Sequence, residues 1–222
     1  MPKPNGRKPQ PSRRILKKSA RCLKARNPSH SGCMPPICPN KNNAMPKILL
    51  FNASNSSQSI QKTLLDAAAK LLTEYDIVQS SSADFDLPIY STDLENSTGI
   101  PQAAADFYRM IGQCDALILA CPEHNGSAPA AFKNLFDWTT RHAGRQQIPT
   151  FQNKPGLILT ASPGPRGGLS VRTYLEQILP FHGLDVLAAH GFPHFSQRPL
   201  NAAEQQTLAE AVSLLRQRLK TA

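Results

Sequence analysis

Three polar segments stand out, each following a short apolar run and each rich in hydroxyls, amides or glycines. The first is Asn52-Ala53-Ser54-Asn55-Ser56-Ser57-Gln58-Ser59, with four serines and no bulky side chain. Hydroxyls and free backbone N–H groups at the start of a helix make an anion site suited to a phosphate. The same serines and asparagines also serve simply to cap a helix. The second segment is Pro122-Glu123-His124-Asn125-Gly126-Ser127. Gly126 lets the backbone turn N–H groups toward a ligand, and Asn125 and Ser127 add polar contacts. His124 offers a flat ring and a hydrogen bond. A proton-transfer role for it would have to use Glu123 as the orienting carboxylate, and Glu123 equally suits capping or bracing the loop. The third segment, Ser162-Pro163-Gly164-Pro165-Arg166-Gly167-Gly168, has three glycines and two prolines in seven residues. It reads as a side-chain-poor wall against which a planar ligand can lie, or as a turn before a helix. Arg166 is placed to meet a phosphate or to stay in solvent.

Other chemistries lack their signatures. GxxxxGK[ST], GxGxxG, HExxH, CxxC and GxSxG are all absent, so triphosphate-loop, dinucleotide-fingerprint, metalloprotease, thioredoxin-like and α/β-hydrolase readings have no support. Of the five cysteines, Cys114 and Cys121 flank the most apolar run and suit small buried thiols in a reducing compartment. Cys22, Cys33 and Cys38 lie without a paired histidine set, so no zinc or other metal site is expected.

The elements that must carry these segments alternate in type. The apolar run Ile48–Phe51 reads as a strand covered on both faces, Asp115–Cys121 as the central strand, Gly156–Ala161 as a further buried strand, and Tyr75–Gln79 and Leu184–Leu187 as short strands. Helical spacing marks Ser59–Leu72, Pro101–Gln113, Ala128–Arg141, Leu169–Phe181 and Asn201–Lys220, the last with Asn201 as cap. Asp84–Tyr90 reads as a connection. Five strand–helix alternations predict an α/β three-layer sandwich around a five-stranded parallel sheet of order 2-1-3-4-5. In such sheets ligands bind beyond the carboxyl ends of the strands at the switch in strand order, which selects the segments after strands one, three and four.

The formal charge of +10 is misleading as a guide to partners. Residues 1–45 hold eleven basic residues and no acidic one, while 46–222 hold fourteen basic and fifteen acidic. The basicity therefore belongs to a Pro- and Cys-bearing leader without aromatic residues, expected to be a disordered basic tail before a single domain at 46–222. The leader has the composition of an organellar transit peptide, with Leu16, Ala20 and Leu23 on one face of a short basic helix over Arg13–Arg26. A second reading starts the compact domain at Met45 and leaves the leader dispensable. A third makes it an arm for nucleic acid or an anionic membrane surface. The near-neutral body itself points to no nucleic-acid partner. No run of about 18 apolar residues is present, so no membrane span is expected, and no signal-peptide core follows the basic start.

Taken together, the three segments resemble the NADPH-dependent FMN reductase family. The resemblance rests on Pro122-Glu123-His124-Asn125-Gly126-Ser127 with Lys133-Asn134-Leu135-Phe136-Asp137-Trp138 downstream, on Ser162-Pro163-Gly164 through Gly167-Gly168, and on Asp86-Leu87-Pro88-Ile89-Tyr90 with Asp93-Leu94-Glu95. It implies a flavodoxin-like fold and an FMN-dependent oxidoreductase. A hydride would pass from NADPH or NADH to flavin, and electrons would then pass to a small-molecule acceptor such as free flavin, a quinone or an azo or nitro compound. It implies that Ser54, Ser56, Ser59 and Gln61 hold the FMN phosphate. Pro122, Glu123, His124, Asn125 and Gly126 would hold the ribityl chain and ring edge, and Ser162, Gly164 and Gly167 would lie beside the ring. No residue is assigned a catalytic acid–base role. A homodimer or homotetramer is also implied, with the 128–141 helix and Trp138 either at the contact or packed within its own core, in a cytoplasmic enzyme. Three positions depart from the family pattern. Ala53, Ser54 and Ser56 stand where Gly-Ser and then an Arg are usual, Gln61 stands for Asn, and His124 for Tyr. The alternative is a flavodoxin-like FMN-binding or scaffold protein without turnover, localised by its basic tail.

Overall fold

A computed structural model describes residues 45–221. The readings of residues 1–44 lie outside the described residues. Five strands, β1 (Lys47–Asn52), β2 (Asp76–Ser81), β3 (Ala116–Ala120), β4 (Lys154–Ala161) and β5 (Leu184–Phe192), pair in parallel in the order β2-β1-β3-β4-β5, as predicted. Side chains alternate between the two faces of a strand, and the core divides accordingly. Ile48, Leu50, Ile118 and Leu159 point to one face, where they meet Leu64 and Ala68 of α1 (Ile60–Lys70) and Leu208, Val212 and Leu215 of α6 (Ala202–Lys220). Leu49, Phe51, Leu117, Leu119 and Ile158 point to the other face. There they meet Phe107 of α3 (Gln102–Gly112), Phe132 and Phe136 of α4 (Ala130–Gln146), and Val171 and Leu175 of α5 (Leu169–Phe181). Cys114 and Cys121 are buried in this second core, and burial pushes both thiols up, away from thiolate reactivity. No helix of the described residues is long and apolar enough to cross a membrane.

The structure extends two elements beyond the sequence reading and adds a third. Strand β5 runs on to Phe192 through half-buried residues, with a register irregularity opposite Gly156/Leu157. An edge strand packed by helices on both faces needs no continuous apolar run, so Ala188–Gly191 gave little signal. Helix α4 continues to Gln146 past polar residues. A short helix, α2 (Thr92–Thr98), occupies part of the connection after β2, capped by the Ser91 side chain, which accepts from Leu94 N at 3.1 Å. Its residues have no apolar stripe because it docks through polar groups.

That docking explains the downstream sequence signature. Asn134 and Trp138, four residues apart on α4, face the 86–90 connection. The Trp138 indole N–H donates to Pro88 O at 2.8 Å, and the Asn134 amide donates to Pro88 O at 3.0 Å while accepting from Tyr90 N at 2.9 Å. Tyr90 meets the Trp138 ring edge-on, with centroids 5.0 Å apart. Trp138 is fully buried within its own chain, which removes it as a subunit contact. The tryptophan was ambiguous in the sequence because an amphipathic stripe does not say which partner covers it.

Glu95 of α2 completes the attachment. Its carboxylate, buried at 7% exposure, accepts from Arg141 Nε at 2.8 Å, Arg145 Nη2 at 3.3 Å and the Tyr90 hydroxyl at 3.2 Å. Burial pushes its carboxyl upward, but the Arg141 hydrogen bond and charge, with Tyr90 and Arg145, outweigh this and hold it below the ordinary value. A carboxyl depressed on folding adds stability above its unfolded pKa, and that stability is lost as pH falls through the folded value. Glu95→Gln should therefore lower stability at neutral pH and flatten the decline of Tm between roughly pH 5 and pH 3, measured beside the wild type.

The β4–α5 connection is held by close backbone packing. Gly167 (φ +57) is buried, and a Cβ there would lie 2.9 Å from Pro193 N and 3.1 Å from the Phe192 carbonyl carbon. Thr160 Oγ1 donates to Gly167 O at 2.6 Å. Gly164, by contrast, has open space where a Cβ would project. Gly167→Ala should cost at least about 1 kcal/mol by denaturant unfolding, whereas Gly164→Ala should stay within about 0.5 kcal/mol of the wild type.

Candidate functional site

Strands β1, β3 and β4 are adjacent and run the same way, so the segments after them emerge side by side at one edge of the sheet. Neighbouring strands lie about 4.8 Å apart, which puts the outer two segments on the order of 10 Å from each other.

After β1 the chain folds on its own serines. Ser54 Oγ accepts from Ser56 N at 3.1 Å, Ser56 Oγ from Gln58 N at 3.2 Å, and Ser59 Oγ from Gln61 N at 3.3 Å. Ser59 also donates to Asn52 Oδ1 at 3.4 Å, and the same oxygen accepts from Ser54 N at 3.0 Å. Ser59 is thus the cap of α1 and is committed on both sides. The Ser54 and Ser56 hydroxyls only accept, and each keeps a hydrogen to donate. Asn55 and Ser57 are exposed and form no hydrogen bond with the described residues. Gln61 sits behind this loop, fully buried. Its amide donates to Ala161 O at 2.9 Å, and its Oε1 is buried without a partner. It ties the first turn of α1 to the end of β4. The nearest cation on α1, Lys62, is held by Asp66 at 2.7 Å. A cavity of about 500 Å³ opens on the β2 side of the loop, lined by Asn55, Ser56, Ser57 and Lys62 with Ser80 and Asp84.

After β3, His124 N donates to Ser127 O at 2.9 Å and Ser127 N to His124 O at 3.0 Å. Asn125 (φ 52) and Gly126 (φ 78) fill the two central positions. Two consecutive positive-φ residues, Asn then Gly, make a type I′ hairpin turn. Residues 124–127 are exposed, with His124 presenting its ring at the surface. The turn uses the N–H groups of His124 and Ser127, leaving those of Asn125 and Gly126 unengaged. Pro122 and Glu123 are half-buried beneath the turn. Glu123 Oε2 accepts from Ser170 N at 2.8 Å and Val171 N at 3.2 Å, the first turn of α5. These two partners were not legible in the sequence, because they lie 47 and 48 residues away and act through backbone N–H groups.

After β4, Ser162 Oγ donates to Gly164 O at 3.2 Å, and Gly164 O also accepts from His194 N at 3.0 Å. Residues 163–166 are exposed, while Gly167 is turned inward. Arg166 donates to Ser170 Oγ at 2.9 Å. The structure therefore brings Ser54, Ser56, His124, Asn125, Gly126, Ser162 and Gly164 to one edge of the sheet. Ser59, Gln61, Glu123 and Gly167 lie behind it as supports.

The sequence pattern described as NADPH-dependent FMN reductase matches residues 46–196. A quinone reductase of Escherichia coli is 34% identical over 96 residues, covering 43% of this chain and 49% of that protein. The chain thus spans about half the length of this relative. A 2-hydroxy-1,4-benzoquinone reductase of a Burkholderia species is 30% identical over 144 residues, 64% of this chain and 73% of that one. Among solved structures, an NAD(P)H:(acceptor) oxidoreductase flavoenzyme from Paracoccus denitrificans superposes with a TM-score of 0.62 at 22% identity, covering 78% of this chain and 98% of its own. That likeness supports the fold, and the match over residues 46–196 supports the lineage. The chain belongs to the NADPH-dependent FMN reductase family.

Proposed function

We propose that this protein is an FMN-dependent NAD(P)H oxidoreductase whose flavin lies across the carboxyl ends of β1, β3 and β4. The observation that carries this reading is the cluster of unengaged donors there: the Ser54 and Ser56 hydroxyls, the N–H groups of Asn55 and Ser57, and those of Asn125 and Gly126. These residues fit FMN. The serine-rich loop at the start of α1 suits the phosphate. The type I′ turn and the open wall at Gly164 leave backbone accessible to a flat ring. When bound, FMN supplies hydride acceptance from NAD(P)H and onward electron transfer to a second acceptor.

The chain's own residues bind, orient and polarise. Ser54 and Ser56 donate to the phosphate, with Ser59 and Gln61 holding the loop in shape. The N–H groups of Asn125 and Gly126 stabilise negative charge at the ring edge, Pro122 and Glu123 set the height of the turn, and His124 offers its ring to the flavin or the acceptor. Ser162 and Gly164 form the wall beside the ring, with Gly167 behind it. The acceptor is a small molecule of the quinone, flavin, azo or nitro class. The working form is a cytoplasmic homo-oligomer, with residues 46–222 as the reductase domain.

Two outcomes check this. Adding NADH or NADPH anaerobically to the FMN-loaded protein should bleach the flavin absorbance, and an acceptor should restore it. Failure to bind FMN at micromolar concentration would sink the proposal. Binding without oxidation of NAD(P)H under any acceptor would favour a non-catalytic flavin binder. Because the phosphate loop holds no cation, Ser56→Arg adds a charge-assisted contact and should tighten FMN binding about tenfold, measured by fluorescence titration.

A further inference from the structure

Helix α5 begins without a cap of its own. Its N-cap residue is Gly168, which has no side chain, and its first turn contains no acidic residue. The leading N–H groups of a helix lack intrahelical partners, yet the first three of α5 all find one. Leu169 N donates to Arg166 O at 3.1 Å. The next two, Ser170 N and Val171 N, both donate to Glu123 Oε2. Arg166 reaches the same turn through Ser170 Oγ at 2.9 Å.

Seen from the β3–α4 loop, this contact is singular. The turn at His124–Ser127 closes on itself through two backbone bonds. Within residues 122–127, Glu123 supplies the side-chain hydrogen bonds to another element among the described residues. A two-residue turn bonded only to itself is free to tilt about its base. One carboxylate at the positive end of α5 fixes that tilt, favoured by both the two hydrogen bonds and the helix dipole.

We propose that Glu123 is a positioning residue. Its carboxylate fastens the Asn125–Gly126 turn to the N-terminus of α5 and thereby sets where the turn's free N–H groups meet the flavin. Resting on the flavin reading of the site, this inference assigns the Glu123 side chain to α5 and not to the ligand. It also closes the N-terminus of α5 as an anion site, since a protein carboxylate already fills it.

The test separates the tie from simple helix capping. Glu123→Ala removes both. Adding Ser170→Asp to that variant supplies α5 with an acid in its own first turn but leaves the loop untied. Glu123→Ala should weaken FMN binding at least about tenfold and speed amide hydrogen exchange at His124 and Ser127 in the FMN-free protein. The double variant should regain the wild-type urea midpoint while keeping the weak FMN binding and the fast exchange. Recovery of FMN affinity together with the midpoint would reduce Glu123 to a helix cap and overturn the proposal, as would unchanged exchange in Glu123→Ala. A wild-type chain that binds no FMN would instead overturn the flavin reading, while the exchange measurement would still decide whether Glu123 ties the loop.

Discussion

Parallel pairing of β1 with β3 and of β3 with β4 is the constraint on which the site depends. Each of these strands is buried on both faces, so its residues are committed to core packing and cannot carry chemistry. The polar residues that interrupt the apolar runs must then emerge at the strand ends. Because the three strands are neighbours and run the same way, those ends lie together. The order β2-β1-β3-β4-β5 places the switch in strand order between β1 and β3, where adjoining connections diverge to opposite faces of the sheet and leave room between them.

Around that edge, the helices act as anchors for irregular segments. Helix α4 holds the connection after β2 through Asn134, Trp138 and the Glu95 pairs with Arg141 and Arg145. Helix α1 is tied to the end of β4 by Gln61, and α5 to the β3–α4 turn by Glu123. Asn134, Trp138, Gln61 and Glu123 each satisfy backbone groups far away in sequence, while Glu95 pairs with side chains of α4. Such bonds cost little where both partners would otherwise be buried unsatisfied, and they fix loops that have no core of their own.

The charge distribution has a matching logic. The excess positive charge lies at residues 1–45, while the serine loop after β1 has no basic residue and Lys62 beside it is paired with Asp66. What this loop offers is a set of neutral donors, the Ser54 and Ser56 hydroxyls and the N–H groups of Asn55 and Ser57. The N-terminus of α5 is already occupied by Glu123. The two helix N-termini are thus capped in different ways, α1 by its own Ser59 and α5 by Glu123 from another loop.

Much of this protein was written locally. Short apolar runs such as Ile48–Phe51 and Ala116–Ala120, separated by helical spacing, pointed to the parallel α/β sandwich, because strands buried on both faces need helices on each side, and five such strands favoured the order found. The Asn125-Gly126 pair announced a tight turn, and the serines after β1 announced a capped, donor-rich loop. What the sequence left open were choices between partners. Glu123 read as a ligand contact or a brace, Trp138 as an interface or a core residue, and the loop holding Gly167 as a ligand wall or a turn before a helix. Helix α2 and the far end of β5 gave little signal at all. Tertiary structure supplied their partners, since which backbone group comes within hydrogen-bond reach of a side chain depends on elements distant in sequence. For Glu123, Trp138 and Gln61 that group lies 47, 50 and 100 residues away.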